Sequence, residues 1–136
     1  MYTMVISLRG DCYGEGVMER MTEFFDKSEF ECKCRCGTGT VVPDLVDRIQ
    51  LARTLLKQPI SITSAFRCPF HNKGVGGSDT SSHLKGLALD LKCDNSPYRH
   101  KLLAVLMIYF PRIGIAKDFI HVDLDPDKDQ GVVWLY

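Results

Sequence analysis

The segment SSHLKGLALDLKC, residues 81–93, carries His83 and Asp90, and DFIHVDL, residues 118–124, carries Asp118, His121 and Asp123. Two imidazoles and a carboxylate, with one coordination position left open, form the ligand set of a catalytic zinc site. In such a site the cation acts as a Lewis acid and lowers the pKa of a bound water. Successive side chains of a strand point to opposite faces, so in GLALDLK Leu87, Leu89 and Leu91 share one face while Ala88, Asp90 and Lys92 share the other. Asp90 therefore stands clear of the leucine layer, beside an alanine small enough to leave room for an approaching group. His83 lies at the start of the turn containing Gly86, and the seven-residue spacing to Asp90 lets the imidazole and the carboxylate converge. His121 and Asp123 share a face by the same alternation. Taken singly, a histidine ahead of a glycine turn is most often a surface residue, so it is the set that points to a metal.

These residues need elements to position them. VMERMTEFFDKSEF, 17–30, places Val17, Met21 and Phe24 or Phe25 at helical spacing and runs into the Cys/Gly loop ECKCRCGTGT. Pro43 suits a first helical turn, and DLVDRIQLARTLLKQ repeats apolar residues at 45, 46, 49, 52, 55 and 56, which predicts an amphipathic helix stopped by Pro59. ISITSAF alternates as a strand, and RCPFHNKGVGGSDTSS reads as a long irregular connection of the kind that carries function. GLALDLK is a second strand. SPYRHKLLAVLMIYF reads as a serine-capped apolar helix, RIGIAKDFIHVDL as one or two further strands, and GVVWLY as the last. Strands and helices mix without a strict βαβ repeat. This predicts an α+β domain, a small and mainly antiparallel sheet with helices packed on one side.

The chain has 136 residues, enough for one domain, read as a 1–16 extension and a 17–136 core. Its 17 basic and 17 acidic side chains cancel, which removes the electrostatic footprint expected of a general nucleic-acid binder. The early apolar run MVISL is followed at once by Arg9, Asp11 and Glu15, so neither a signal peptide nor a membrane span is expected, and the chain reads as cytoplasmic as synthesised. Three of the six cysteines fall in CKCRC at every second position, which suits neither a disulfide framework nor CxxC zinc spacing. They read as free thiols rather than as a structural metal site, for which Cys12 or His71 would have to supply an extra ligand. Cys68 and Cys93 read as buried thiols beside the motif strands.

SAFRCPFHNKGVGGSDTSSHLKGLALDLKC followed by DFIHVDL resembles the zinc D-alanyl-D-alanine carboxypeptidase family. That family also contains phage L-alanyl-D-glutamate endopeptidases and shares its fold with the Hedgehog signalling domain. Its metal motif, Ser-x-His-x6-Asp and then a distant acidic-x-x-His, is similar to Ser81, His83, Asp90 and Asp118, His121 here. FDKSEFECKCRCG and PISITSAFRCPFHN resemble the small single-domain members often encoded by phages, and the resemblance spans about residues 24–134.

The resemblance implies one zinc ion held by His83, Asp90 and His121, with Asp118 as general base and Arg67 contacting substrate and stabilising charge on the scissile carbonyl. Strict alternation puts Asp118 and His121 on opposite faces, so the base role requires Asp118 to lie in a preceding turn or bulge. Asp123 is expected to orient a ligand, the alternative being a simple surface acid, Ser81 to shape the loop, and Trp134 to form a cleft wall or part of the core. His71 is expected at the cleft and His100 at the surface. The implied activity is hydrolysis of a peptide bond in peptidoglycan stem peptides or cross-links, as a D,D-carboxypeptidase or endopeptidase. The expected setting is a monomeric phage endolysin reaching the wall after holin-type release, with no membrane or nucleic-acid partner. Two rivals stand beside it: a zinc-binding, non-catalytic module of the same fold, and, more distantly, a thiol or redox protein built around CKCRC.

Overall fold

The computed structural model describes residues 23–136. The proposed 1–16 extension, the MVISL run, Cys12 and the helical positions Val17 and Met21 lie outside the described residues. Within 23–30 the helical spacing does not persist. The chain forms a single 3-10 turn, Lys27–Phe30, and the Asp26 N–H donates to the Glu29 carboxylate at 2.9 Å. Phe25 and Phe30 are buried edge to face with ring centroids 5.8 Å apart, while Phe24 is exposed.

Helix α1, Pro43–Leu56, starts on its proline and ends where Lys57 turns left-handed at φ 61°. It buries Leu45, Val46, Ile49, Ala52 and Leu56, the face expected from the spacing, and leaves Leu55 exposed. The next two segments depart from what their composition suggests, the first with less regular structure and the second with more. Strand β1 is confined to Ile62–Ser64, and the polar connection after it contains the short helix α2, Pro69–Gly74, and a 3-10 turn, Ser82–Lys85. Strand β2, Ala88–Lys92, leads to helix α3, Ser96–Tyr109. Its cap is Asn95 rather than the expected serine, because the Asn95 side chain accepts the Tyr98 N–H and Ser96 already lies inside the first turn. Strands β3, Arg112–Ile115, β4, Phe119–Asp123, and β5, Val132–Leu135, complete the chain.

Among the described residues five strands run in the order β1-β2-β4-β3-β5, antiparallel at every junction except β3 with β5, which is parallel. On the apolar face Leu89, Leu91, Ile113, Ile120 and Val122 form one core with Leu45, Ile49, Leu102 and Leu106 of α1 and α3. The fold is thus the expected α+β type, a mostly antiparallel sheet backed by helices. Among the described residues no helix is long and apolar enough to cross a membrane.

The opposite face carries the polar residues, and the register aligns them. Asp90 faces His121, His121 faces Gly114, and Gly114 faces Trp134. Ser64 joins the far end of this row opposite Asp90, because the β1 register slips by one residue between Ile62 and Ser64. That irregularity keeps Ile62 in the core while Ser64 reaches the polar face. Gly114 is needed in the row because a Cβ there would lie 2.6 Å from Trp134 Cε2.

Gly86 closes the 3-10 turn that holds His83. Its φ is +70°, and a Cβ would sit 2.6 Å from the Thr40 carbonyl oxygen. Its own carbonyl accepts the Val42 N–H at 2.9 Å at the entry to α1. Both left-handed strain and a backbone clash therefore oppose any side chain here. Gly86→Ala should cost about 2–4 kcal/mol in urea unfolding; a loss below about 0.5 kcal/mol would show that this turn is not fixed against the Thr40–Val42 backbone.

Candidate metal centre

His83, Asp90 and His121 each offer one ligand atom, all within 4.8 Å of one another. Three separate elements supply them. Asp90 and His121 come from adjacent strands in direct register, and His83 comes from the 3-10 turn, where Ser81 Oγ accepts the His83 backbone N–H at 3.2 Å. The Arg67 N–H donates to the His83 carbonyl at 3.1 Å, which ties the segment after β1 to the same turn.

Hydrogen bonding fixes which ring nitrogens face inward. His83 Nδ1 lies 2.7 Å from the Ala65 carbonyl oxygen, which can only accept, so Nδ1 carries the proton and Nε2 presents a lone pair. Among the described residues that Nε2 is buried without a hydrogen-bond partner, 3.3 Å from Asp90 Oδ1. His121 Nε2 lies 2.7 Å from Asp123 Oδ2, and its Nδ1 lies 2.9 Å from Asp90 Oδ1. Two imidazole nitrogens and a carboxylate oxygen thus converge on one point where only a cation or protons can satisfy them. The donor set suits zinc, and the orphaned His83 nitrogen shows that the residues present fit that ion.

The surroundings hold these groups in place. Asp123, fully buried, accepts from Arg112 Nε at 2.7 Å and from the Asp125 N–H at 3.0 Å through the oxygen that does not face His121. This makes a carboxylate–histidine pair of the kind that orients metal ligands. Arg112 also donates to the Asp129 carbonyl and lies 4.9 Å from the centroid of the Trp134 ring, which is itself 5.6 Å from the His121 ring. Arg67 donates through Nε to Ser64 Oγ at 3.0 Å, through one terminal nitrogen to Asn72 Oδ1 at 3.1 Å and through the other to Asp90 Oδ2 at 3.3 Å. The outer oxygen of Asp90 is thereby fixed while the inner one faces the imidazoles.

Electrostatics follow this arrangement. Burial works to raise the Asp90 pKa, but its contacts with His121 and His83 outweigh it and hold the carboxyl well below the usual range. For His121 burial works downward, and the Asp123 and Asp90 carboxylates prevail and raise its pKa. Asp125, in the loop after β4, accepts from Ser82 Oγ at 2.7 Å and pairs with Lys85 at 3.0 Å, bracing the turn that carries His83. Against its burial, these contacts bring the Asp125 pKa down to about 2.

The expected site residues thus fall into two groups. His83, Asp90, His121, Arg67, Asp123, Ser81 and Trp134 come together. Asp118 does not: it is exposed in the turn between β3 and β4, its backbone oxygen accepts the Cys93 N–H, and it is not among the groups within 4.8 Å of the ligating atoms. His100 is exposed, and His71, in α2, is half-buried. Arg112 and Asp125 were not singled out from sequence. Arg112 was legible as the one charged residue of RIGI, on the same face as Gly114, and Asp125 as the middle acid of DLDPD.

A comparison with family models matches Peptidase M15 over residues 23–123. The chain belongs to this family. No curated protein matches it. Peptidase M15 membership makes the chain a zinc-dependent metallopeptidase acting on a peptide substrate, and the His83–Asp90–His121 cluster is the group that fits its metal.

Because two carboxylates hold His121, removing one should lower its affinity for protons. In chelator-treated protein, histidine-ring NMR titration should place His121 above the ordinary value of about 6.5, and Asp123→Asn should move it downward. In the metal-free fold this raised pKa contributes stability fully present below about pH 6.5 and lost as pH rises through the folded value. Zinc bound at the histidine site should weaken about 10–100-fold in the same variant. An unchanged titration would remove Asp123 from this role.

Proposed function

We propose that this peptidase hydrolyses a peptide bond in peptidoglycan stem peptides or cross-links, as a D,D-carboxypeptidase or endopeptidase of the phage endolysin type. It acts on the cell wall as a monomer. The observation that carries the reading is the place of Arg67. Its guanidinium is anchored on Ser64, Asn72 and Asp90, at the edge of the ligating cluster. A guanidinium has five N–H donors, and these three contacts use three of them, leaving two for a substrate carboxylate or a developing oxyanion. Peptidoglycan stems end in such carboxylates.

In this reading His83 Nε2, Asp90 Oδ1 and His121 Nδ1 would hold the zinc. The metal, when bound, supplies Lewis acidity and a water of lowered pKa. Asp123 keeps the His121 Nε2 proton in place, so that Nδ1 stays available as a ligand atom. Arg67 holds Asp90 from outside and binds the substrate's negative charge. Trp134, packed over Gly114 and beside His121, forms one wall of the site and limits how the peptide lies. Asp118 is assigned the transfer of the water's proton to the leaving nitrogen, since amide hydrolysis requires an acid–base group. In the exposed turn it reaches that proton through a water or by a shift of the turn.

The non-catalytic module has one observation on its side, the same separation of Asp118 from the ligating atoms. Purified peptidoglycan separates the two readings. Zinc-loaded protein should release new amino groups and soluble fragments, with mass analysis naming the bond, and Asp118→Ala at matched metal content should lose about 100-fold or more in rate. Full activity in that variant would take Asp118 out of the mechanism. No release by the parent, with zinc bound at the histidine site, would put the binding module in place of the hydrolase.

A further inference from the structure

CKCRC has no part in the hydrolytic site, yet the fold gives its sulfurs a fourth companion. Cys68, 32 residues beyond Cys36, brings its thiol to the loop, and the four sulfurs of Cys32, Cys34, Cys36 and Cys68 lie within 4.8 Å of one another. The Cys32–Cys34, Cys34–Cys68 and Cys32–Cys68 separations are 3.4, 3.6 and 3.8 Å. A disulfide requires about 2.05 Å. Sulfurs around one tetrahedral zinc, each about 2.3 Å from the ion, stand about 3.8 Å apart.

From this geometry we infer that Cys32, Cys34, Cys36 and Cys68 form a second, structural zinc site, separate from the histidine centre.

Local backbone supports the arrangement. Arg35 adopts a left-handed φ of 65°, and its N–H donates to the Cys32 carbonyl at 2.9 Å, folding the loop so that alternate cysteines converge. Backbone donors point at two of the sulfurs: the Cys68 N–H lies 3.4 Å from Cys32 Sγ, and the His71 N–H 3.4 Å from Cys68 Sγ. Such N–H groups favour sulfur in its thiolate form, the form that binds metal. Cys36 is the outermost member, with its sulfur 3.0 Å from Thr38 Oγ1. Four thiolates and one zinc ion carry two net negative charges, and Lys33 and Arg35, interleaved in the same loop, bring two positive ones. Soft thiolates in a closed tetrahedral set select zinc and leave no open position for water, so the site is structural. It fastens the 32–36 loop to the residue directly after Arg67.

The test is a metal count on full-length protein purified without chelator. The parent should hold two zinc ions per chain, and both His83→Ala and the double variant Cys34→Ser/Cys36→Ser should hold one. Cobalt substitution should give intense near-ultraviolet thiolate-to-metal absorption in the parent and in His83→Ala, and lose it in the cysteine variant. Because that variant can fail to fold, thiol titration of folded His83→Ala gives an independent reading: four fewer reactive thiols before strong chelation than after it. One zinc per chain that persists in His83→Ala would support the cysteine site while removing the histidine metal centre. One zinc lost in His83→Ala, with equal thiol reactivity with and without chelator, would overturn the proposal. Iron in place of zinc at the cysteines would overturn the zinc assignment.

Discussion

The pairing of Asp90 against His121 across β2 and β4 is the contact on which the rest of the site depends. It places a carboxylate oxygen 2.9 Å from an imidazole nitrogen on the polar face of a sheet whose other face is the core. The two requirements are compatible because strand alternation separates them by one residue. Leu89, Leu91, Ile120 and Val122 are buried against the helices by the same register that aligns Asp90 with His121. A slip of one residue in either strand would turn the leucine face toward solvent and carry the ligands into the core. Core packing therefore enforces the geometry of the Asp90–His121 pair without touching it.

A second constraint acts from outside the sheet. His83 does not belong to a strand, and its place depends on Ser81, Gly86, the Ala65 carbonyl and the Arg67 N–H. Asp125 braces the same turn through Ser82 and Lys85, from a loop that follows β4 directly. Three of the acids near this end, Asp123, Asp125 and Asp127, succeed one another at alternate positions and do different work. Asp123 fixes His121, Asp125 fixes the turn of His83, and Asp127 pairs with Lys85 at the surface. The two imidazoles are thus held by neighbouring carboxylates of one short segment.

What was legible in the sequence was what obeys a period. Alternation in GLALDLK and DFIHVDL gave the faces of Asp90, His121 and Asp123 correctly, and the spacing in DLVDRIQLARTLL gave α1 and all of its buried face, with Leu55 added in excess. Contacts that depend on where loops return were less visible. Arg112 meets Asp123 only because β3 pairs with β4 in one register, and Asp125 meets Ser82 across 43 residues of chain. Composition also concealed order: the Gly- and Ser-rich run after β1 holds both α2 and the turn of His83, since local hydrogen bonds there need little apolar content. The convergence of Cys68 on CKCRC is of the same kind, because a C-x-C-x-C spacing reveals no tetrahedral set until a fourth sulfur arrives from a distant helix cap.

The two sulfur- and imidazole-lined clusters meet through two consecutive residues. Arg67 reaches Asp90, and Cys68, the next residue, reaches Cys32 and Cys34. Arg67 lies between a three-residue strand and a six-residue helix, and its long side chain loses much entropy when fixed. Its guanidinium is nevertheless fixed at three nitrogens. A metal at the cysteines would add to the bond from the Arg67 N–H to the His83 carbonyl a second anchor on the backbone side, joining Cys68 to a segment that the buried Phe30 already fastens through the bond from the Phe66 N–H to the Phe30 carbonyl. The cysteine site would then have a mechanical role beside the histidine cluster. It would limit the motion of the residue next to Arg67, and so the freedom of the guanidinium that holds Asp90.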